Sequence, residues 1–169
     1  MIKRLFTALT LFASLCYISS ASAQTAKEIA TYSDWTVHVY SDPSKKICFV
    51  SSQPTDKLPK NVKRGVVVFY ISHWPKQKVK NEISVDVGYP LKKDSQPVAV
   101  IGSESFKFIV KSDKAFVETP EIEKKMFAAM KVGSTMVLTG VSRRGTQTTD
   151  SYSLSGLSAA LKKLETECK

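Results

Sequence analysis

The side chains able to do chemistry are few: two histidines, His38 and His73, three cysteines, Cys16, Cys48 and Cys168, and 15 Asp and Glu spread along 169 residues. Gly156-Leu157-Ser158-Ala159-Ala160 has the outline of a nucleophile elbow with its last Gly replaced by Ala. An elbow needs a strand, a sharp turn and a helix in a parallel sheet. This segment runs on into an amphipathic helix, so small residues packing a helix against a sheet account for it. His38 falls at an alternating strand position and His73 at a strand end, and a Ser-His-acid site needs an orienting carboxylate that the sequence does not place. Neither histidine has a partner at the spacing of a metal site. Glu82 and Asp86 lie four apart on one strand face, a pattern that solvated carboxylates share with the paired acids of a glycosidase. No catalytic residue, metal ligand or cofactor is assigned, and the expectation is a protein that is not an enzyme.

Charge is the stronger signal. The chain carries 25 Lys and Arg, a net +10. Its first 23 residues read as an export signal: Lys3 and Arg4, an apolar stretch from Leu5 to Ile18, and a small-residue cleavage site at Ala21-Ser22-Ala23. The sequence around Cys16 misfits a lipidation site, so the mature chain is expected to run from Gln24 to Lys169 with no integral membrane segment. Cleavage leaves 23 cations against 15 acids, a net +8.

Two basic segments have turn-like composition, Lys76-Gln77-Lys78-Val79-Lys80 and Ser142-Arg143-Arg144-Gly145-Thr146. Lys76, Lys78, Lys80, Arg143 and Arg144 are therefore candidate anion-binding residues, for lipopolysaccharide phosphates, peptidoglycan or acidic host glycans. A solvated positive surface is the alternative, and Tyr70, Trp74 and Tyr89 are then the aromatic candidates for binding. Export argues against nucleic acid as the partner. Nothing in the sequence sets an oligomeric state. An exported chain also meets an oxidising compartment, where the even pair Cys48 and Cys168 reads as a disulfide; two buried free thiols are the alternative.

The elements that must position these residues are mostly strands. Period-2 alternation marks Asp34–Tyr40 and Ile83–Val87, Ile47–Ser51 reads as a short strand carrying Cys48, and Gly65–His73 reads as a central strand buried on both faces. Short strands follow at Val98–Ile101, Ser105–Val110, Ala115–Val117, Thr135–Ser142 and Thr148–Ser153, while Gln53–Lys63 and Lys76–Lys80 read as loops. Helical signals occur twice. Thr119 and Pro120 open a helix that Gly133 closes, and Leu154, Leu157, Leu161, Leu164 and Cys168 share one face of a C-terminal helix. The prediction is an all-β dominated antiparallel β-sandwich in a single domain over residues 24–169, with one internal and one terminal helix.

The chain also resembles the invasion-associated locus B (IalB) family of exported bacterial proteins. The likeness is carried by D-W-T-V at 34–37, Cys48, G-Y-P at 88–90, V-I-G-S-E-S-F at 100–106, A-A-M-K-V-G-S-T-M at 128–136, S-R-R-G-T at 142–146, D-S-Y-S-L-S-G-L-S-A-A-L at 150–161 and Cys168. It implies an immunoglobulin-like sandwich in the periplasm or at the outer surface of a Gram-negative cell, with Cys48 and Cys168 as a structural pair. It also implies a part in host-cell entry, and it brings no catalytic residues. Many family sequences have a Cys soon after the early Trp; Val39 and Tyr40 stand there, so no second bridge is expected. Two functions remain open: a non-enzymatic exported protein that binds envelope or host-surface components, and a periplasmic hydrolase with a Ser-His-acid site.

Overall fold

The computed structural model describes residues 25–169, so the predicted signal segment, its predicted cleavage site and Cys16 lie outside the described residues. Eleven strands and two helices follow in chain order: β1 Lys27–Tyr32, β2 Trp35–Ser41, β3 Lys46–Ser52, β4 Asp56–Leu58, β5 Val68–Trp74, β6 Val79–Asp86, β7 Val98–Ile101, β8 Glu104–Lys111, β9 Lys114–Val117, α1 Pro120–Val132, β10 Thr135–Val141, β11 Gln147–Ser153 and α2 Leu157–Glu167. All strand pairings are antiparallel, in the spatial order β1-β2-β3-β5-β6-β9-β8-β7-β10-β11-β4.

The expected all-β antiparallel architecture is present, and strand β8 joins its two sheets. Residues Glu104–Lys107 of β8 pair with β7, whereas Phe108–Lys111 pair with β9. The strand passes from one sheet into the other, and the sheets close face to face. Trp35 of β2 packs edge-on to Phe69 of β5 at 6.2 Å, and Phe69 meets Tyr152 of β11 at 5.6 Å across the gap. The Trp35 indole N–H donates to the Ser153 carbonyl at 3.1 Å, pinning the same junction with a polar contact.

Alternation decides which residues enter this core. Trp35, Val37, Cys48, Val50, Phe69, Ile71, Ile83 and Val85 are fully buried on the inner face of the first sheet. Their neighbours Thr36, His38, Phe49 and Tyr70 face outward and are half-buried. Helix α2 packs along β1, β2 and β3, burying Leu157, Ala160, Leu161 and Leu164. Helix α1 begins as the sequence predicts, with the Thr119 hydroxyl accepting from the Ile122 N–H and Pro120 at the first helical position. The Glu123 carboxylate then accepts the Ile83 N–H at 2.6 Å, fastening α1 to β6.

The disulfide joins Cys48 on β3 to Cys168 at the end of α2, across a sequence separation of 120. The alternative of two free thiols at Cys48 and Cys168 is thereby excluded. Several boundaries differ from the sequence reading. Strand β1 lies outside the predicted elements: Lys-Glu-Ile-Ala-Thr-Tyr carries little alternation, and a shift of register between Glu28 and Ala30 breaks what there is. The predicted loop Gln53–Lys63 contains β4, which has only one apolar residue, Leu58, and pairs with β11. The central strand starts at Val68 rather than Gly65, since Val66 is 69% exposed and Gly65 donates instead to the Gly88 carbonyl at 2.8 Å. The basic loop ends at Lys78, whose left-handed backbone turns the chain directly into β6. The terminal helix begins at Leu157, not Leu154.

Candidate functional site

The turn between β10 and β11 places two of the predicted cations. Ser142 and Gly145 flank Arg143-Arg144: the Gly145 N–H donates to the Ser142 carbonyl at 2.8 Å, and Gly145 takes a φ of 88°. Ser at the first position and a left-handed Gly at the last are the residues such a turn selects. The Ser142 hydroxyl accepts the Thr146 N–H at 3.1 Å, and the Arg143 N–H donates to the Pro90 carbonyl at 2.9 Å. Both guanidinium groups thus project from a braced tip, and both residues are exposed.

That tip borders a groove of about 270 Å³ whose other walls include Val62, Lys63, Arg64, Tyr89, Pro90 and Thr148. Arg64 lies at its base with a spent charge. Its guanidinium pairs both oxygens of Asp150, at 2.7 and 2.5 Å, and donates to the Val87 carbonyl at 3.2 Å. The two side chains are 6% and 1% exposed. Burial opposes the Arg64 charge, but the Asp150 hydrogen bonds and its negative charge outweigh that effect and hold the guanidinium ionised. The Tyr89 ring lies 5.2 Å from the guanidinium, and its hydroxyl is 2.5 Å from the Thr148 hydroxyl. Burial pushes the Tyr89 phenol up, with Thr148 and Arg64 opposing. Tyr152 is buried nearby, and burial foremost, then the Asp150 charge, raises its phenol far above the ordinary range. The uncompensated positive charge of the groove therefore comes from Lys63, Arg143 and Arg144.

The second predicted segment lies elsewhere. Lys76 and Lys78 sit at the turn joining the end of β5 to the start of β6, while Tyr89 and Arg64 flank the other ends of those strands. Seven residues of β5 set the two places roughly 20 Å apart. Lys76 is already engaged, its ammonium donating to the Pro43 and Ser44 carbonyls at 3.0 and 2.8 Å; Lys78 and Lys80 are exposed. The structure brings Arg143 and Arg144 together with Lys63, which sequence reasoning missed, and separates them from Lys76, Lys78 and Lys80. Only the closure of β10–β11 over the segment before β5 makes Lys63 their neighbour.

The other chemical candidates resolve individually. Ser158 is exposed on the first turn of α2, with no parallel sheet beneath it. Glu82 accepts the Trp74 indole N–H at 3.2 Å, and Asp86 pairs with Lys114 at 2.7 Å, so the two carboxylates serve separate contacts. His73 is buried beside Cys48 and bonds Asn81 at 3.0 Å. His38 is half-buried on the outer face, where burial lowers its pKa below the usual 6.5 and the Glu28 charge partly offsets this.

A disulfide-stapled antiparallel β-sandwich with a basic groove at one end of its strands is the class these features define. Residues 35–165 match the family described as Invasion associated locus B (IalB) protein, and the chain belongs to that family. The match spans β2 through most of α2 and includes the Arg143-Arg144 turn. No curated protein and no solved structure matches the chain.

Proposed function

We propose that the protein is exported to the periplasm or outer surface of a Gram-negative cell and acts by binding anionic envelope or host-surface components. The observation that carries this reading is the groove bordered by Lys63, Arg143 and Arg144, whose charges have no acidic partner lining the same space. Arg64 is neutralised by Asp150, so it shapes the groove and leaves ligand attraction to the three exposed cations. Binding of this kind makes and breaks no covalent bond. The export-type N-terminus and a disulfide suited to an oxidising compartment support the location. The family description, invasion associated locus B, supports a role at the host interface.

The test uses the mature chain on vesicles containing lipopolysaccharide and on a sulfated-glycan resin. Arg143→Gln with Arg144→Gln should weaken binding about five- to tenfold at low salt, as loss of two exposed ion pairs costs roughly 1 kcal/mol. The difference should shrink at high ionic strength, because exposed charges are screened beyond about 8 Å at physiological salt. Equal binding by both proteins at low salt would remove the groove from the function. The intact mass of exported protein tests the location, with a start at Gln24 expected.

A further inference from the structure

Three consecutive strands carry an acid, a base and a hydroxyl across one face. Glu28 of β1 is the cross-strand partner of His38 on β2. Ser51 of β3 pairs with Thr36, one step diagonally from His38. The Ser51 hydroxyl lies 2.9 Å from His38 Nε2. The imidazole is held in place by stacking on Phe49, with ring centres 4.7 Å apart and planes inclined by 16°. The Glu28 carboxylate accepts the Thr31 hydroxyl at 3.0 Å, and Thr31 in turn meets the Thr36 hydroxyl at 3.0 Å.

These three side chains line a single open cavity of about 390 Å³, within the size range of small-molecule sites. Gln53 lies on its wall, two residues beyond Ser51, and brings a carboxamide donor to it. The cavity shares no residue with the basic groove.

We propose that Ser51 and His38 form a nucleophile and general base that act on small carboxylic esters. The Ser51 oxygen adds to the ester carbonyl carbon while His38 Nε2 takes the hydroxyl proton. The Gln53 amide addresses the oxygen on which negative charge develops. The ester C–O bond then breaks, the alcohol leaves with the proton held by His38, and the acyl group stays on Ser51. Water adds to that acyl group, again giving a proton to His38, and a carboxylic acid departs as the Ser51 hydroxyl is restored. The balance is ester plus water to acid plus alcohol, with no further reactant. Burial favours the neutral imidazole that this step requires. Glu28 stands across from His38 on β1 with its carboxylate bonded to Thr31, so it adds a negative charge near the base and does not hold the ring.

The experiment treats the mature, disulfide-intact protein with a fluorophosphonate probe, which forms a phosphorus–oxygen bond to an activated serine and expels fluoride. Peptide mapping should find the adduct on Ser51 of the wild-type protein. Ser51→Ala should abolish it, and His38→Gln should slow its formation by about a hundredfold or more, the usual effect of a general base. An unmodified wild-type protein, or an adduct on another serine, would overturn the proposal without recourse to any variant. Labelling of His38→Gln at the wild-type rate would overturn it as well, since Ser51 would then react without a base.

Discussion

Arg64 and Asp150 show at the residue scale how an ion pair can shape a binding groove without supplying its charge. Both are desolvated; among the described residues the Asp150 carboxylate accepts only from Arg64, and the guanidinium donates to Asp150 and to the Val87 carbonyl. Removing one partner strands the other, at a cost of about 3–5 kcal/mol. Asp150→Asn should therefore lower the free energy of unfolding by about 3 kcal/mol in urea titration. Arg64→Met combined with Asp150→Leu should recover much of that loss, because a buried pair contributes little net of its own desolvation. A single-variant loss under about 0.5 kcal/mol would show that the groove base is already hydrated. Arg143 and Arg144 are the contrast: exposed on a turn, they should alter binding with little effect on stability.

Helix α2 is the element whose position depends most on particular contacts. It is entered through Gly156 at a φ of 87°, where a Cβ would stand 2.0 Å from the Tyr32 carbonyl oxygen. Only glycine fits both the left-handed backbone and that approach to β1. Gly156→Ala should cost at least about 1–3 kcal/mol, read by thermal melting, and should loosen α2 from β1 in amide exchange. At the other end Cys168 is bonded to Cys48. Opening a loop of 120 residues removes a constraint worth at most about 5 kcal/mol in the chain-entropy account. Cys168→Ser should lower stability by a large part of that. Leu157, Leu161 and Leu164 should still hold the helix to β2 and β3, so its amide protection falls first near Cys168. Uniform loss of protection would show instead that the bridge organises the whole helix.

At the scale of the molecule, the two sheets are one folded surface whose closure rests on Trp35, Phe69 and Tyr152 in series. Phe69 touches both other rings, so Phe69→Ala opens a cavity where the sheets meet. Such a truncation should cost about 3–5 kcal/mol and should lower the unfolding midpoints reported by Trp fluorescence and by strand circular dichroism together. Separated midpoints would mean that the sheets are stabilised independently. The closure also explains why the basic site was half legible. The Arg143-Arg144 turn could be read from Ser, Gly and the flanking strands. Lys63 sits in a polar stretch with no periodicity, and it reaches the turn only because the segment before β5 runs beneath β10–β11.

Local periodicity determined the strands from β2 onward that alternate clearly, the α1 cap at Thr119, its end at Gly133, and the Leu stripe of α2. These follow from rules that act over a few residues. Composition and the predicted export signal made a Cys48–Cys168 bridge the expected outcome with two free thiols as the alternative, and the packing of α2 against β3 decided between them. Tertiary structure alone decided the rest. Strand β4 exists because β11 offers it a pairing edge, and β1 because β2 does; neither has enough apolar alternation to declare itself. The nearness of Ser51 to His38, and of Lys63 to Arg143, is set by strand register and sheet closure. Register is fixed by which faces are buried across the whole core, and that sum over distant residues is not written in any single segment.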